Sequence, residues 1–170
     1  PLGIGILTTA GKAELLEPEE RAHVTALMTT LNKGARDVMV KYRVHACTDV
    51  TGFSLMGHGL EMAQGSDTEL HIDTAQVDFL PRAVNFADMG ILPAGMYRNR
   101  NFAEGFVDAG EVPLAVQDAL YDPQTSGGLL IAVHPDDAEA MYAELKNAVP
   151  SAQRIGTVEA YRGGKRIFLK

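Results

Sequence analysis

Val44-His45-Ala46-Cys47-Thr48-Asp49-Val50-Thr51-Gly52-Phe53-Ser54-Leu55-Met56-Gly57-His58-Gly59-Leu60-Glu61-Met62-Ala63 is the stretch on which the fold turns. Val44–Cys47 reads as a short strand. Thr48–Gly52 is a polar turn. From about Phe53 to Ala63 the apolar residues Phe53, Met56, Leu60 and Ala63 recur at helical steps, which predicts a helix with those four inward. A strand that runs through one turn into a helix calls for a sheet with a helix packed on it.

The same reading extends in both directions. Gly65-Ser66-Asp67 ends the helix, and Thr68–Asp73 alternates as a second strand. Leu80–Met89 is a helix that stops at Gly90. Residues 91–111 carry Pro93, Gly95, Gly105 and Gly110 with no period, so they are either functional or hold short elements. Pro113–Leu120 is helical, Asp122–Gly128 is a loop, and Leu129–Val133 is an apolar, buried strand. Pro135-Asp136-Asp137 opens a helix with Met141, Leu145 and Ala148 on one face. Ile155–Tyr161 and Arg166–Leu169 read as a terminal hairpin turned at Gly163-Gly164. Towards the start, Ile4–Thr9 reads as a strand of small and β-branched residues. Pro18-Glu19-Glu20 opens a helix, because proline and negative charge both suit a helix N-terminus. Its apolar stripe runs through Val24, Leu27, Met28, Leu31, Ala35, Val38, Met39 and Tyr42, broken at Asn32-Lys33-Gly34 into two core helices. The order predicts an α+β fold with a mixed β-sheet and helices packed on it.

The 170 residues suit one domain, residues 1–170, and 46% of them are hydrophobic, enough for a core without disulfides. Lys plus Arg total 15 against 22 Asp plus Glu, a net charge of −7, which argues against nucleic acid or an anionic membrane as partner. No apolar run approaches the roughly 18 residues of a membrane span, so a cytoplasmic protein is the default. The single cysteine, Cys47, allows no internal disulfide, and its apolar neighbours Val44, Ala46 and Val50 predict a buried thiol and no nucleophile. The start at Pro1, directly in an apolar run, reads as a cut from a longer chain at a domain boundary.

Four segments can carry chemistry. Thr48–Gly52 sits at a strand-to-helix junction, where unpaired amides and the helix dipole favour an anion and a carboxylate such as Asp49 suits Mg²⁺. The same residues also serve as plain helix caps. Asp122–Gly128 places Gly127-Gly128 after Thr125-Ser126, so its amides can turn towards an anion, or simply feed the next strand; it lacks the lysine of a P-loop. His58 and Glu61 share one helix face, with no second histidine for a zinc motif. In Met96-Tyr97-Arg98-Asn99-Arg100-Asn101 either arginine can reach a phosphate or be solvated.

Ala46–Met62 closely resembles the corresponding stretch of the selenophosphate synthetase (selenide, water dikinase) family, as does Asp122-Pro123-Gln124-Thr125-Ser126-Gly127-Gly128-Leu129-Leu130. Pro1–Leu7 and Leu92–Asn99 fit in the same order. The resemblance covers that family's C-terminal half. It implies a fold like the C-terminal domain of aminoimidazole ribonucleotide synthetase, within a two-domain enzyme that makes selenophosphate, AMP and phosphate from selenide, ATP and water. It implies Asp49 as a Mg²⁺ ligand, Thr48, Thr51, Gly52, Gln124, Thr125, Ser126, Gly127 and Gly128 lining the ATP cleft, and His58 and Glu61 behind them. The family's reactive cysteine or selenocysteine and its lysine belong to the N-terminal half, so this chain carries no nucleophile and is expected to be inactive alone. A homodimer built by that other half is implied too. Ile4 stands where the family usually has threonine, and Ser54 where it has glycine. Ser54 is expected within the helix, with little effect. The alternatives are another ATP-using relative, aminoimidazole ribonucleotide synthetase or thiamine-phosphate kinase, and a non-catalytic phosphate- or protein-binding module. The paired Thr-Asp-Val-Thr-Gly-Phe and Gln-Thr-Ser-Gly-Gly motifs disfavour the first two.

Overall fold

The chain opens with α1 (Ile4–Lys12), α2 (Pro18–Thr29) and α3 (Lys33–Met39). β1 (Val44–Asp49), α4 (Ser54–Gly65) and β2 (Thr68–Ile72) follow, then α5 (Ala83–Asp88), α6 (Ala94–Ala103), β3 (Val107–Asp108) and α7 (Leu114–Leu120). β4 (Leu129–Val133), α8 (Ala138–Ala148), β5 (Gly156–Ala160) and β6 (Ile167–Leu169) complete it. The structure is a computed structural model and describes residues 1–170.

The strands form two sheets. β1 and β4 make an antiparallel pair, with Asp49 opposite Leu129 and Cys47 opposite Ile131. The other four run in the order β3-β6-β2-β5, with β2 antiparallel to β5 and parallel to β6. The expected mixed sheet is therefore present, accompanied by a separate two-stranded ribbon. α4 packs between them, and its Met56, Leu60 and Ala63 are fully buried with Leu70 and Ile167 of the mixed sheet close to fully so. Each such large side chain contributes on the order of 2 kcal/mol by leaving water. A second core joins α1, α2 and α5 through Ile6, Leu7, Leu80 and Phe86. A third, smaller one joins α3 to α8 through Val38, Met141 and Leu145, beneath the ribbon.

The structure corrects several expectations. Ile4–Thr9 is the body of α1, not a strand. Gly3, at φ 120°, lets the chain turn into the helix, and the Thr8 and Thr9 hydroxyls donate to the Gly5 carbonyl at 3.0 and 2.8 Å. Burial of Ile4, Ile6, Leu7 and Ala10 then outweighs the β-propensity of the segment. The terminal strands do not form a hairpin, because β2 lies between them. Gly163 and Gly164 do turn the chain, at φ 95° and 86°. But the turn is carried across β2: Arg162 reaches the Glu69 carboxylate, and Arg166 bonds Asp67 and the Thr68 carbonyl at 3.1 and 3.0 Å.

Cys47 is exposed, not buried. β1 alternates strictly, so His45, Cys47 and Asp49 share its outer face. Partial burial and the charge of Asp49 push the Cys47 thiol up, which keeps it from being a thiolate. Phe53 is likewise outside, 55% exposed, and stacks on Phe102 with ring centroids 6.3 Å apart. Leu31 of the helical stripe is 79% exposed, β4 is only half-buried, and Ala148 is exposed. The unassigned stretch 91–111 holds α6, a short 3-10 turn and β3. No helix is long and apolar enough to cross a membrane.

Candidate functional site

Two loops that are distant in sequence lie back to back at the end of the ribbon. The Val50 amide donates to the Gly128 carbonyl at 2.8 Å, and the Gln124 amide to the Thr51 carbonyl at 3.0 Å. The contact demands glycine at 127, since a Cβ there would stand 1.8 Å from the Val50 carbonyl oxygen. Asn32 seals the outer side by donating to the Gly127 carbonyl at 2.9 Å. Buried Asn99 of α6 donates to the Gly52 and Tyr121 carbonyls at 3.0 and 3.1 Å, so one amide group grips the loop before α4 and the loop after α7.

Asp49 stands at the exit of β1, exposed, and its carboxylate joins no ion pair or side-chain hydrogen bond. Thr48 beside it is half-buried, with its hydroxyl directed to the Asp49 carbonyl at 3.2 Å. Thr51 is half-buried and Gly52 exposed, with open space where a Cβ would be. The turn into α4 is strained: Ser54, the first helical residue and fully buried, has φ 69°. It occupies a left-handed position, not the regular helix interior expected for it, and that is why glycine suits this place. No N-cap side chain closes α4; the Ser54 amide donates back to the Thr51 carbonyl at 3.0 Å, and Leu55 and Met56 behind it are buried.

His58 fixes this turn from one helical turn on. Its Nε2 lies 3.2 Å from the Thr51 hydroxyl and accepts from the Phe53 amide at 3.3 Å, while Nδ1 lies 3.2 Å from Glu61. An Nδ1–H imidazole satisfies all three contacts.

On the second loop, Thr125, Ser126 and Gly128 are exposed, and Ser126 has φ 53°. Gln124 is different. Its side chain is buried at 4% exposure and points away from Asp49, to the start of α1. Its Oε1 accepts from the Gly3 and Ile4 amides, both at 3.2 Å, and only its backbone N–H meets Thr51. Of the arginines in 96–101, Arg100 is paired with Asp118 at 2.5 Å and lies over the Tyr121 ring, while Arg98 is exposed.

Reading by motif missed two residues that matter here. Asn99 sits in a stretch read for its arginines. Asp122 heads a segment that reads as a turn, yet it is fully buried, and burial pushes its carboxyl up to about 7.

The chemistry of the donors fits Mg²⁺ in one limited sense. Asp49 is an exposed hard-oxygen ligand with no competing cation, which matches an ion that takes one or two carboxylates and draws its other ligands from phosphates and water. The side chains that converge most like a metal set are elsewhere, at Glu69, His71 and Glu159. There the Arg162 guanidinium already supplies the positive charge.

The profile of the AIR synthase related protein family, C-terminal domain, matches residues 1–168. The chain is 48% identical over 149 residues to a selenide, water dikinase of Treponema denticola, covering 88% of this chain and 42% of that one. It is 42% identical over 171 residues to the selenide, water dikinase of Clostridium botulinum, covering 100% and 49%. It is 47% identical over 160 residues to that of Pelobacter propionicus, covering 93% and 46%. The chain thus spans less than half the length of these relatives. Among solved structures it is similar to hydrogenase maturation protein HypE, at TM-score 0.68 and 16% identity, covering 99% of this chain and 46% of that one. It is also similar to thiamine monophosphate kinase from Aquifex aeolicus, at TM-score 0.56 and 17% identity, covering 99% and 47%. At such identities the two structures share the fold.

Proposed function

We propose, since the chain belongs to the AIR synthase related protein family as its C-terminal domain, that it is the C-terminal half of a selenide, water dikinase. The observation that carries this reading is the identity of 42 to 48% to three such enzymes over 88 to 100% of this chain. The substrates are then selenide, ATP and water, and the products selenophosphate, AMP and phosphate. The partner is the chain's own N-terminal half, within a homodimer in the cytoplasm.

In this role Asp49 would hold a Mg²⁺ ion, which would supply positive charge to offset that of the ATP phosphates. Thr48, Thr51 and Gly52 line the phosphates. Thr125–Gly128 forms the facing wall. His58, braced by Glu61, keeps Thr51 and Phe53 in place, and Asn99 ties the two loops to one helix. Phosphoryl transfer depends on positioning and charge more than on covalent help from the protein, which is work a rigid two-loop platform can do.

The test is AMP formation from ATP and selenide by the full-length enzyme. Asp49→Asn lowers turnover by roughly a hundredfold or more, while circular dichroism stays unchanged. The 170-residue chain alone forms no AMP. Near-normal turnover by Asp49→Asn removes Asp49 from the mechanism, and turnover by the isolated chain overturns the division of labour.

A further inference from the structure

α1 has no cap of its own. Gly3 precedes it, and no side chain within the segment bonds its first amides. A helix start buried in this way needs acceptors from somewhere. They come from residues about 120 positions away. Gln124 Oε1 accepts from the Gly3 and Ile4 amides at 3.2 Å, and Asp122 Oδ2 accepts from the Gly5 amide at 2.9 Å. Gln124 Nε2 in turn donates to the Asp122 carbonyl and to its Oδ2 at 2.7 and 2.9 Å, locking the two acceptors together. Gly5 is required for the approach: a Cβ there would lie 2.5 Å from Asp122 Oδ1 and 2.6 Å from the Pro123 carbonyl oxygen.

The Asp122–Gly128 segment continues into the wall of the site. The Gln124 backbone N–H bonds Thr51, and Gly127-Gly128 abuts Val50. One end of the Asp122–Gly128 segment is therefore fastened to α1, and the other to the loop that carries Asp49. We propose that Asp122 is a positioning residue: its carboxyl, acting with Gln124, latches the start of α1 to the Thr125–Gly128 turn and so sets where that turn stands against the Asp49 loop.

Asp122 is also the group in the latch that can change state. Its Oδ1 is buried without a hydrogen-bond partner. No cation offsets its charge. Asp118 of α7 and Arg100 of α6, charged groups on neighbouring elements, are paired with each other. From α1 it meets only amides, and from its own loop the Gln124 side chain. Burial consequently raises the carboxyl to about 7, with the α1 amides and Gln124 pulling the other way. Ionised, it places a full negative charge at a helix N-terminus and grips it harder; protonated, it leaves a weaker, neutral cap.

The latch is tested first in this 170-residue chain, by amide and carboxyl NMR between pH 5 and 9. The Gly5 amide, the Asp122 carboxyl and the Thr125–Gly128 amides are expected to shift with one common midpoint near neutrality. Asp122→Asn, close to isosteric, abolishes that titration. Asp122→Ala speeds hydrogen exchange at Gly5 roughly tenfold or more, as expected for an amide that loses a charged acceptor. Absence of the common midpoint, or a Gly5 titration that leaves Thr125–Gly128 still, overturns the latch; the wild-type arm needs no variant to fold. The catalytic consequence rests on the proposed dikinase activity and is read separately, in the full-length enzyme. There Asp122→Asn removes a neutral limb from the pH profile of kcat/KM for ATP. An active wild type whose profile is unaltered by Asp122→Asn overturns the positioning role. A wild type without activity overturns the dikinase reading and leaves the NMR result standing.

Discussion

Asp122 and Glu69 are both carboxylates shut away from solvent, at 0% and 1% exposure, and the protein treats them in opposite ways. Glu69, on β2, is gripped by the backbone N–H of Arg162 at 3.2 Å, by its Nε at 3.0 Å, and by His71 Nε2 at 3.0 Å. The Arg162 guanidinium and His71 hold its carboxyl down to about 2. Asp122 has amides around it but no cation, and burial carries it up to about 7. Burial alone therefore does not decide the state of an acid; the partner does. The two regions differ accordingly. The Glu69 clasp pins the chain as it crosses β2, a task for a fixed charge. The Asp122 latch lies between a helix start and the candidate site, where a group that titrates near neutrality can matter.

Glu69, lowered from its ordinary value, contributes stability that is present above about 4.5 and lost as pH falls through about 2. Asp122, raised, contributes stability that is present below about 3.8 and lost as pH rises through about 7. Between them the two acids favour a mildly acidic optimum. The sharpest way to break the contrast is Arg162→Ala, which leaves Glu69 buried beside His71 with its main cation gone. Its carboxyl should then rise, making a second Asp122. Arg162 itself is 65% exposed, but its removal strips a buried carboxylate of its main cation, so this variant should show the largest fall in thermal midpoint at pH 8, partly restored at pH 5. An unchanged midpoint at pH 8 would mean that the clasp holds nothing.

Next in size is a pair of glycine substitutions, one in each region. Gly127→Ala drives a Cβ to 1.8 Å from a backbone oxygen that cannot move without dragging β1, and should cost about 3 kcal/mol or more in urea unfolding. Gly163→Ala, in the crossing turn, meets open space and bears only the strain of φ 95°, about 1 kcal/mol. Equal costs would show that the two loops of the site are not in close contact.

How far the sequence predicts each region follows from how local its causes are. β1, its turn and α4 were legible because alternation, turn residues and a helical period all lie within twenty consecutive positions. α3 and the break at Asn32-Lys33-Gly34 were legible for the same reason. α1 was not, since its β-branched, glycine-rich composition argues for a strand while its cap comes from Asp122 and Gln124. The hairpin failed alike: nothing local in residues 155–169 says that β2 will slot between the two strands. In the site, Thr48–Gly52 and Thr125–Gly128 emerged as loops brought together. The inward turn of Gln124 and the burial of Asp122 depend on α1, and no spacing in the motif reveals that.

Asp122→Asn sharpens the contrast with a smaller effect. At pH 5 the native carboxyl is already protonated, so the amide changes little. By pH 8 the wild type has lost on the order of 2 kcal/mol relative to pH 5, because the unfolded acid ionises freely and the buried one resists. The variant should lack that slope. Urea midpoints at the two pH values decide it, and parallel curves would mean that Asp122 stays ionised throughout.

The smallest effect is expected at Ser54, where the site region stores backbone strain at a fully buried residue. Its φ of 69° disfavours any side chain by about 1 kcal/mol. The hydroxyl returns little, since the Gly57 amide it reaches at 3.4 Å already donates to the Phe53 carbonyl at 3.0 Å. Yet Ser54 is fully buried, so Ser54→Gly leaves a small void and frees the unfolded chain, which offsets most of the relief. Ser54→Ala keeps the strain and loses the hydrogen bond. The two variants should therefore straddle the wild type, with glycine more stable than alanine by about 1 kcal/mol. If alanine matches glycine, the left-handed turn at the head of α4 relaxes at no cost, and the platform before His58 is softer than its hydrogen bonds imply.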